Sequence, residues 1–184
     1  MIAIIDSGGA NIASVQFALE RLGAEPVLTK DVRMIQSADK VLLPGVGAAP
    51  IAMQNLAEYG LIDCIRRLTQ PVMGICLGMQ LLFAASPEGN TPLLGIFDAD
   101  CETFTPTQGR SVPHMGWNRL AKQQDHPLLA GVDEGAHVYF VHSYFAPVTA
   151  QTIAATNYGD DFTAIVAENN FMGCQFHPER SGPV

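Results

Sequence analysis

The sequence predicts an α/β fold: a single domain with a central mixed, mostly parallel sheet and helices on both faces. Three observations predict it. Short apolar, β-branched runs alternate with helical stretches through the first 83 residues. These runs are apolar on both sides, as strands must be when helices cover both faces of a sheet. After residue 93 the texture changes to strand-like pieces separated by turns, which adds antiparallel strands to the same sheet.

The elements follow in order. Ile2 to Ile5 is a strand that stops at the turn signal Asp6-Ser-Gly-Gly9. Ile12, Val15, Leu19 and Leu22 keep helical spacing, and Gly23 offers a stop. Pro26 to Leu28 and Val41 to Leu43 are further strands, the latter cut off by Pro44-Gly-Val-Gly47. One helix is expected over 51–67. The strand 71–75 leads at once into a helix through Phe83. Later strands are expected at 94–97, 137–142, 152–157, 163–168 and 172–176. A helix would normally close such a unit, yet the sequence reaches Pro183-Val184 without one, which reads as a shortened or unusual C-terminus of a domain spanning 1–184.

Composition narrows the function. The 184 residues suit one domain, 48% of them are apolar and 15% charged, so disorder is not the default. The net charge is -8 with only ten Lys and Arg, scattered along the chain, which argues against a phosphate-binding surface and hence against nucleic acid. Cys64, Cys76, Cys101 and Cys174 show no C-x-x-C spacing. They read as free thiols in a reducing cytoplasm, with no metal site and no cofactor. No secretory leader is legible, and no apolar run approaches the roughly 18 residues a membrane helix needs.

Chemistry is concentrated in three segments. Gly74-Ile-Cys76-Leu-Gly78 has the layout of a nucleophile elbow: a strand runs into a helix, with a thiol at the turn and glycine on either side. The turn would lift the sulfur to the sheet edge at a helix N-terminus and point backbone N–H groups at an oxyanion. A buried structural cysteine between packing glycines is the competing reading. Gln175-Phe-His177-Pro-Glu179 places a base and a carboxylate two residues apart, on one side of an extended chain stiffened by Pro178. A thiol nucleophile needs such a base, and the base needs a carboxylate to fix its tautomer. A surface His-Pro-Glu turn is the alternative. Pro44-Gly-Val-Gly47 could turn a peptide N–H toward a tetrahedral intermediate, or be an ordinary strand-to-helix loop. Gln80 lies one helical turn after Cys76 on the same face, where it meets an amide substrate or simply solvent. Pro113-His-Met-Gly-Trp-Asn118 carries the single Trp in a Gly-containing loop, a partner contact or a local core plug.

Taken in chain order, Pro44-Gly-Val-Gly47, Gly74-Ile-Cys-Leu-Gly-Met-Gln80 and Gln175-Phe-His-Pro-Glu179 resemble the class I (triad) glutamine amidotransferases. Pro113 to Asn118 and Tyr139-Phe-Val-His-Ser-Tyr144 are similar to those members that form the glutaminase subunit of imidazole glycerol phosphate synthase in histidine biosynthesis. The resemblance runs from residue 2 to 182 and implies a flavodoxin-like amidotransferase fold. It implies Cys76, His177 and Glu179 as the triad, and Gly45, Val46 and Leu77 around the oxyanion. It implies Gly47, Gln80, Ser143 and Tyr144 as glutamine ligands. The implied partner is a cyclase with a (β/α)8 barrel fold, met by Asn11, Met115, Trp117, Asn118, Tyr139 and Arg180. Arg180 stands where many relatives carry Lys, which keeps the charge and changes its geometry. Three other readings remain open: an amidotransferase serving another acceptor, a non-catalytic relative, and a cysteine hydrolase or peptidase.

Overall fold

The computed structural model describes residues 1–8 and 12–182. Among them, eight strands form one sheet. β1 (Ile2–Ile5), β2 (Pro26–Thr29), β3 (Lys40–Gly45) and β4 (Val72–Cys76) are mutually parallel, in the spatial order β2-β1-β3-β4. Phe171–Cys174 continues the parallel set beside β4. Asp161–Glu168, Thr152–Asn157 and Ala121–Lys122 then extend the sheet antiparallel. The expected single-domain α/β architecture with a mixed sheet is what is found.

Side chains of a strand alternate between faces, and the two cores follow that period. Ala3, Ile5, Val41 and Leu43 belong to one apolar cluster, and Ile4 to the other. The first cluster is covered by α2 (Val32–Ser37), α3 (Ala49–Glu58) and α4 (Leu61–Arg66), through Ile35, Leu56, Leu61 and Ile65. Each of these four is fully buried, worth roughly 1.5–3 kcal/mol apiece. The second cluster is covered by Val15 of α1 (Ile12–Arg21) and by a separate two-stranded ribbon that brings Val138 and Phe140 inward.

Several expected elements are altered. The helix expected over 51–67 is two helices, because the chain turns left-handed at Gly60 (φ 66°). The strand 137–142 stays out of the main sheet and pairs with His114–Arg119, so Trp117 sits in a strand and not in a loop. Leu22 is 82% exposed although its spacing put it on the buried face, because α1 ends one residue before it. The helix after Cys76, α5, covers only Leu77–Gln80. The next turn tightens, with the N–H groups of Leu82 and Phe83 donating to the carbonyls of Met79 and Gln80. The segment 94–97 is not a strand: the N–H groups of Leu94, Gly95 and Phe97 donate to the carbonyls of Leu81, Phe83 and Leu82. It satisfies the end of that turn, and the Phe97 ring packs tilted against Phe83 with centroids 5.1 Å apart.

The elbow is seated by close approach. A Cβ on Gly78 would collide with the Leu43 carbonyl oxygen of β3, and one on Gly74 would meet the Gly78 backbone. Replacing Gly78 by Ala should therefore lower the urea-unfolding free energy by ~3 kcal/mol or more. Gly23, with a positive φ of 77° and no atom within 4 Å of a built Cβ, should lose only ~1 kcal/mol as Ala.

Candidate active site

β4 and the strand Phe171–Cys174 run parallel side by side, with Cys174 opposite Ile75. Both chains leave the sheet at the same edge, and the next residues bring Cys76 and His177 to one cavity of about 320 Å³. Cys76 ends β4 with φ 54° and ψ -112°, a conformation that costs a non-glycine residue on the order of 1–3 kcal/mol. Its sulfur lies 3.8 Å from the Val141 carbonyl and within side-chain hydrogen-bonding reach of His177. Because α5 has only four residues, its dipole is a smaller aid to a thiolate than the sequence suggested, and the local N–H groups matter more.

His177 is held from three directions. Its backbone N–H donates to the Tyr139 carbonyl at 2.9 Å, and the Ser181 hydroxyl donates to its carbonyl at 2.7 Å. Its ring Nδ1 meets Glu179 Oε1 at 2.9 Å, and the side chains of His177 and Glu179 are 6% and 2% exposed. The pairing does not arise from an extended chain, as the sequence suggested. Pro178 opens a 3₁₀ turn over Pro178–Arg180, which folds the carboxylate back onto the ring. Burial alone would lower the His177 pKa. Hydrogen bonds and charges from Cys76 and Glu179 outweigh it and raise the pKa to about 9. An imidazole beside a thiol, oriented by a carboxylate that supports its charge, can take the sulfur's proton, hold it as imidazolium, and return it.

Val46, Gly47, Leu77, Gln80, Ser143 and Tyr144 all line this cavity. Gly45 is not a lining residue: it lies opposite Cys76 in the sheet, packed against the backbone of Leu77 and Gly78. Met115 and Trp117 are 64% and 55% exposed on one face of the ribbon, and Tyr139 stands edge-on to Trp117 at 6.1 Å. Asn118 does not share that face. Its amide turns inward, donating to the Asn157 carbonyl at 2.9 Å and reaching His114 Nε2 at 3.3 Å. Arg180 is exposed on the last turn, and Asn11 lies outside the described residues.

Two features were missed from sequence. Glu88 lines the same cavity and accepts the Ala49 N–H at 2.7 Å, which caps α3. An acid in a Pro-Glu-Gly turn gave no periodic signal, and only the fold brings it to the cavity that holds Cys76. His114 and His142 form a buried pair, Nδ1 to Nε2 at 3.1 Å, and His142 lines the cavity. Among the described residues no cluster of His, Cys, Asp and Glu could hold a metal ion, and no helix is long and apolar enough to cross a membrane.

A family model, glutamine amidotransferase class-I, matches residues 3–183. The chain belongs to the class I glutamine amidotransferase family. Two relatives, from Xylella fastidiosa strain Temecula1 and Xanthomonas campestris pv. campestris strain 8004, are each 53% identical over 180 residues, covering 98% of this chain and 90% of theirs. Both are named imidazole glycerol phosphate synthase subunit HisH. Among solved structures, a glutamine amidotransferase is similar at a TM-score of 0.74 and 20% identity, over 97% of this chain and 90% of that one. Another glutamine amidotransferase, from Thermotoga maritima, is similar at 0.67 and 15%, over 97% and 75%. At these identities the likeness concerns the fold, and it matches the fold expected from the three motifs.

Burial holds His142 down to about 3 and His114 to about 4, against about 6.5 in the unfolded chain. Their contribution to stability is complete above pH ~6.5 and is lost as pH falls through those values. His177, raised to about 9, does the opposite: its contribution is complete below ~6.5 and is lost as pH rises through 9. Urea-unfolding free energies measured across pH should thus fall on both sides. Substituting His142→Gln should flatten the acid limb, and Glu179→Gln the alkaline one.

Proposed function

We propose that this amidotransferase hydrolyses glutamine with Cys76, His177 and Glu179 and passes the ammonia to the cyclase subunit of imidazole glycerol phosphate synthase, for histidine biosynthesis in the cytoplasm. The observation that carries the reading is a thiol and a carboxylate-bound imidazole converging on one cavity. The names of the 53%-identical relatives supply the pathway.

In this reading the Cys76 sulfur attacks the carbonyl carbon of the glutamine side chain. A C–S bond forms, the C–N bond breaks, and His177 delivers a proton to the departing nitrogen, which leaves as ammonia. Water then attacks the thioester with His177 as base, the C–S bond breaks, and glutamate leaves. Glu179 keeps the ring oriented and supports its charge. The oxyanion is met by the Leu77 N–H and by the N–H of Val46 after a peptide flip beside Gly45, eased by Gly47, whose φ is 101°. Glutamine lies along Gly47, Gln80, Ser143 and Tyr144, and Glu88 is the carboxylate that faces its α-ammonium. The cyclase, a (β/α)8 barrel, docks on the face of the exposed Met115 and Trp117 and the half-buried Tyr139, with Arg180 at its margin. Docking completes the oxyanion loop and couples hydrolysis to need.

Glutamine turnover by the isolated chain should be slow, and should rise when the cyclase and its ribotide substrate are added. Cys76→Ala should reduce turnover by more than roughly a thousandfold, while the complex still cyclises its ribotide from free ammonia. Loss of the ammonia-dependent reaction would contradict the division of labour. Glu88→Gln should raise KM for glutamine by about tenfold with a smaller change in kcat, as expected for loss of a charge-assisted contact.

A further inference from the structure

The cavity wall holds an unbroken line of hydrogen bonds whose direction is fixed from one end. The Tyr144 carbonyl oxygen can only accept. It takes a hydrogen bond from Gln80 Nε2 at 2.8 Å and stands 2.8 Å from His142 Nδ1. Gln80 must therefore present its amide nitrogen, not its oxygen, at this point. The same nitrogen donates to Gln175 Oε1 at 2.9 Å. The Gln175 oxygen is thereby committed, and its amide nitrogen is left facing the Cys76 sulfur at 3.7 Å.

The other arm is equally determined. His142 carries its proton on Nδ1, so its Nε2 accepts from His114 Nδ1 at 3.1 Å, and His114 Nε2 accepts from Asn118. Both rings are neutral and both are buried, so the acceptor at Tyr144 is braced from the ribbon side. Gln175 is 0% exposed and Gln80 4%, so neither amide can turn to water instead.

We propose that Gln175 is a further catalytic residue, whose side-chain amide donates a hydrogen bond to the Cys76 sulfur and is aimed there by the Tyr144 carbonyl through Gln80. Gln80, His142 and His114 are positioning residues in this scheme. The inference rests on the reading of Cys76 as the nucleophile. A donor at 3.7 Å favours the thiolate over the thiol. It also favours sulfur as leaving group when the thioester breaks and the bonding pair returns to it. The titratable groups around the sulfur are His177, backed by Glu179, Cys174 on the neighbouring strand, His142 from the ribbon, and Glu88 and Tyr144, which line the same cavity.

The test is the pH profile of Cys76 alkylation by iodoacetamide in the full chain, read by mass spectrometry of the Cys76 peptide. It is run on the parent and on the uncharged Gln175→Met and Gln175→Leu, neither of which can offer the sulfur a proton. Variants are compared only where their melting temperatures show them folded, and Gln175→Leu carries the test should Gln175→Met not fold. The expected result is an upward shift of the profile, with alkylation at neutral pH about tenfold slower in Gln175→Met. In the complex with cyclase, kcat for glutamine should fall and KM hold. A folded variant with the parent's alkylation profile overturns the inference. If Cys76→Ala keeps its glutamine turnover, the reading of the site itself fails. If that variant is inactive while the Gln175 variants alkylate like the parent, only the role of Gln175 fails.

Discussion

The parallel pairing of Val72–Cys76 with Phe171–Cys174 is the constraint on which the rest depends. It joins segments about a hundred residues apart in sequence, so its loop-closure entropy is repaid only once the sheet has assembled. The pairing sets two strand ends at one sheet edge, where open α/β sheets bind their ligands. The thiol and the imidazole then arrive together without any further device. Everything else at the site adjusts this meeting: Gly78 and Gly74 let the elbow sit down on β3, and the turn at Pro178 swings Glu179 to the Nδ1 edge of the ring.

The sheet and the triad candidates were the most legible parts of the chain. Their signals are local: a β-branched run, glycines flanking Cys76, and a His-Pro-Glu sequence. The illegible parts depended on partners distant in sequence. The segment 94–97 is apolar enough to be a strand, but its N–H groups found the carbonyls at the end of α5 instead of a sheet edge. His114–Arg119 looked like a loop because Gly116 and Asn118 interrupt it, and it became a strand because His137–His142 lies opposite. The resemblance put Asn118 with Trp117 among the partner contacts. Strand alternation turned it to the other side, toward His114. Glu88 carried no pattern at all.

The site also shows how burial is used in two directions. Around His142 and His114, burial acts with nothing to oppose it strongly, and two rings become neutral hydrogen-bonding spacers. A few residues away His177 is buried as well, yet Cys76 and Glu179 keep it charged near neutrality. The same residue type thus serves as scaffold and as acid–base group, and the difference lies in whether an anion or a carbonyl is the neighbour. A buried polar network of this kind is stabilising only while every member is satisfied, which ties the geometry of the cavity to the integrity of the ribbon that carries Trp117.

The claim that Cys76 is the nucleophile for glutamine is tested most directly by covalent capture. The chain, with its cyclase partner, is incubated with a glutamine analogue bearing a diazoketone in place of the amide, and the digest is weighed by mass spectrometry. The account predicts one adduct, on the peptide carrying Cys76, suppressed by excess glutamine. An unmodified Cys76, or an adduct there that glutamine does not suppress, would contradict it.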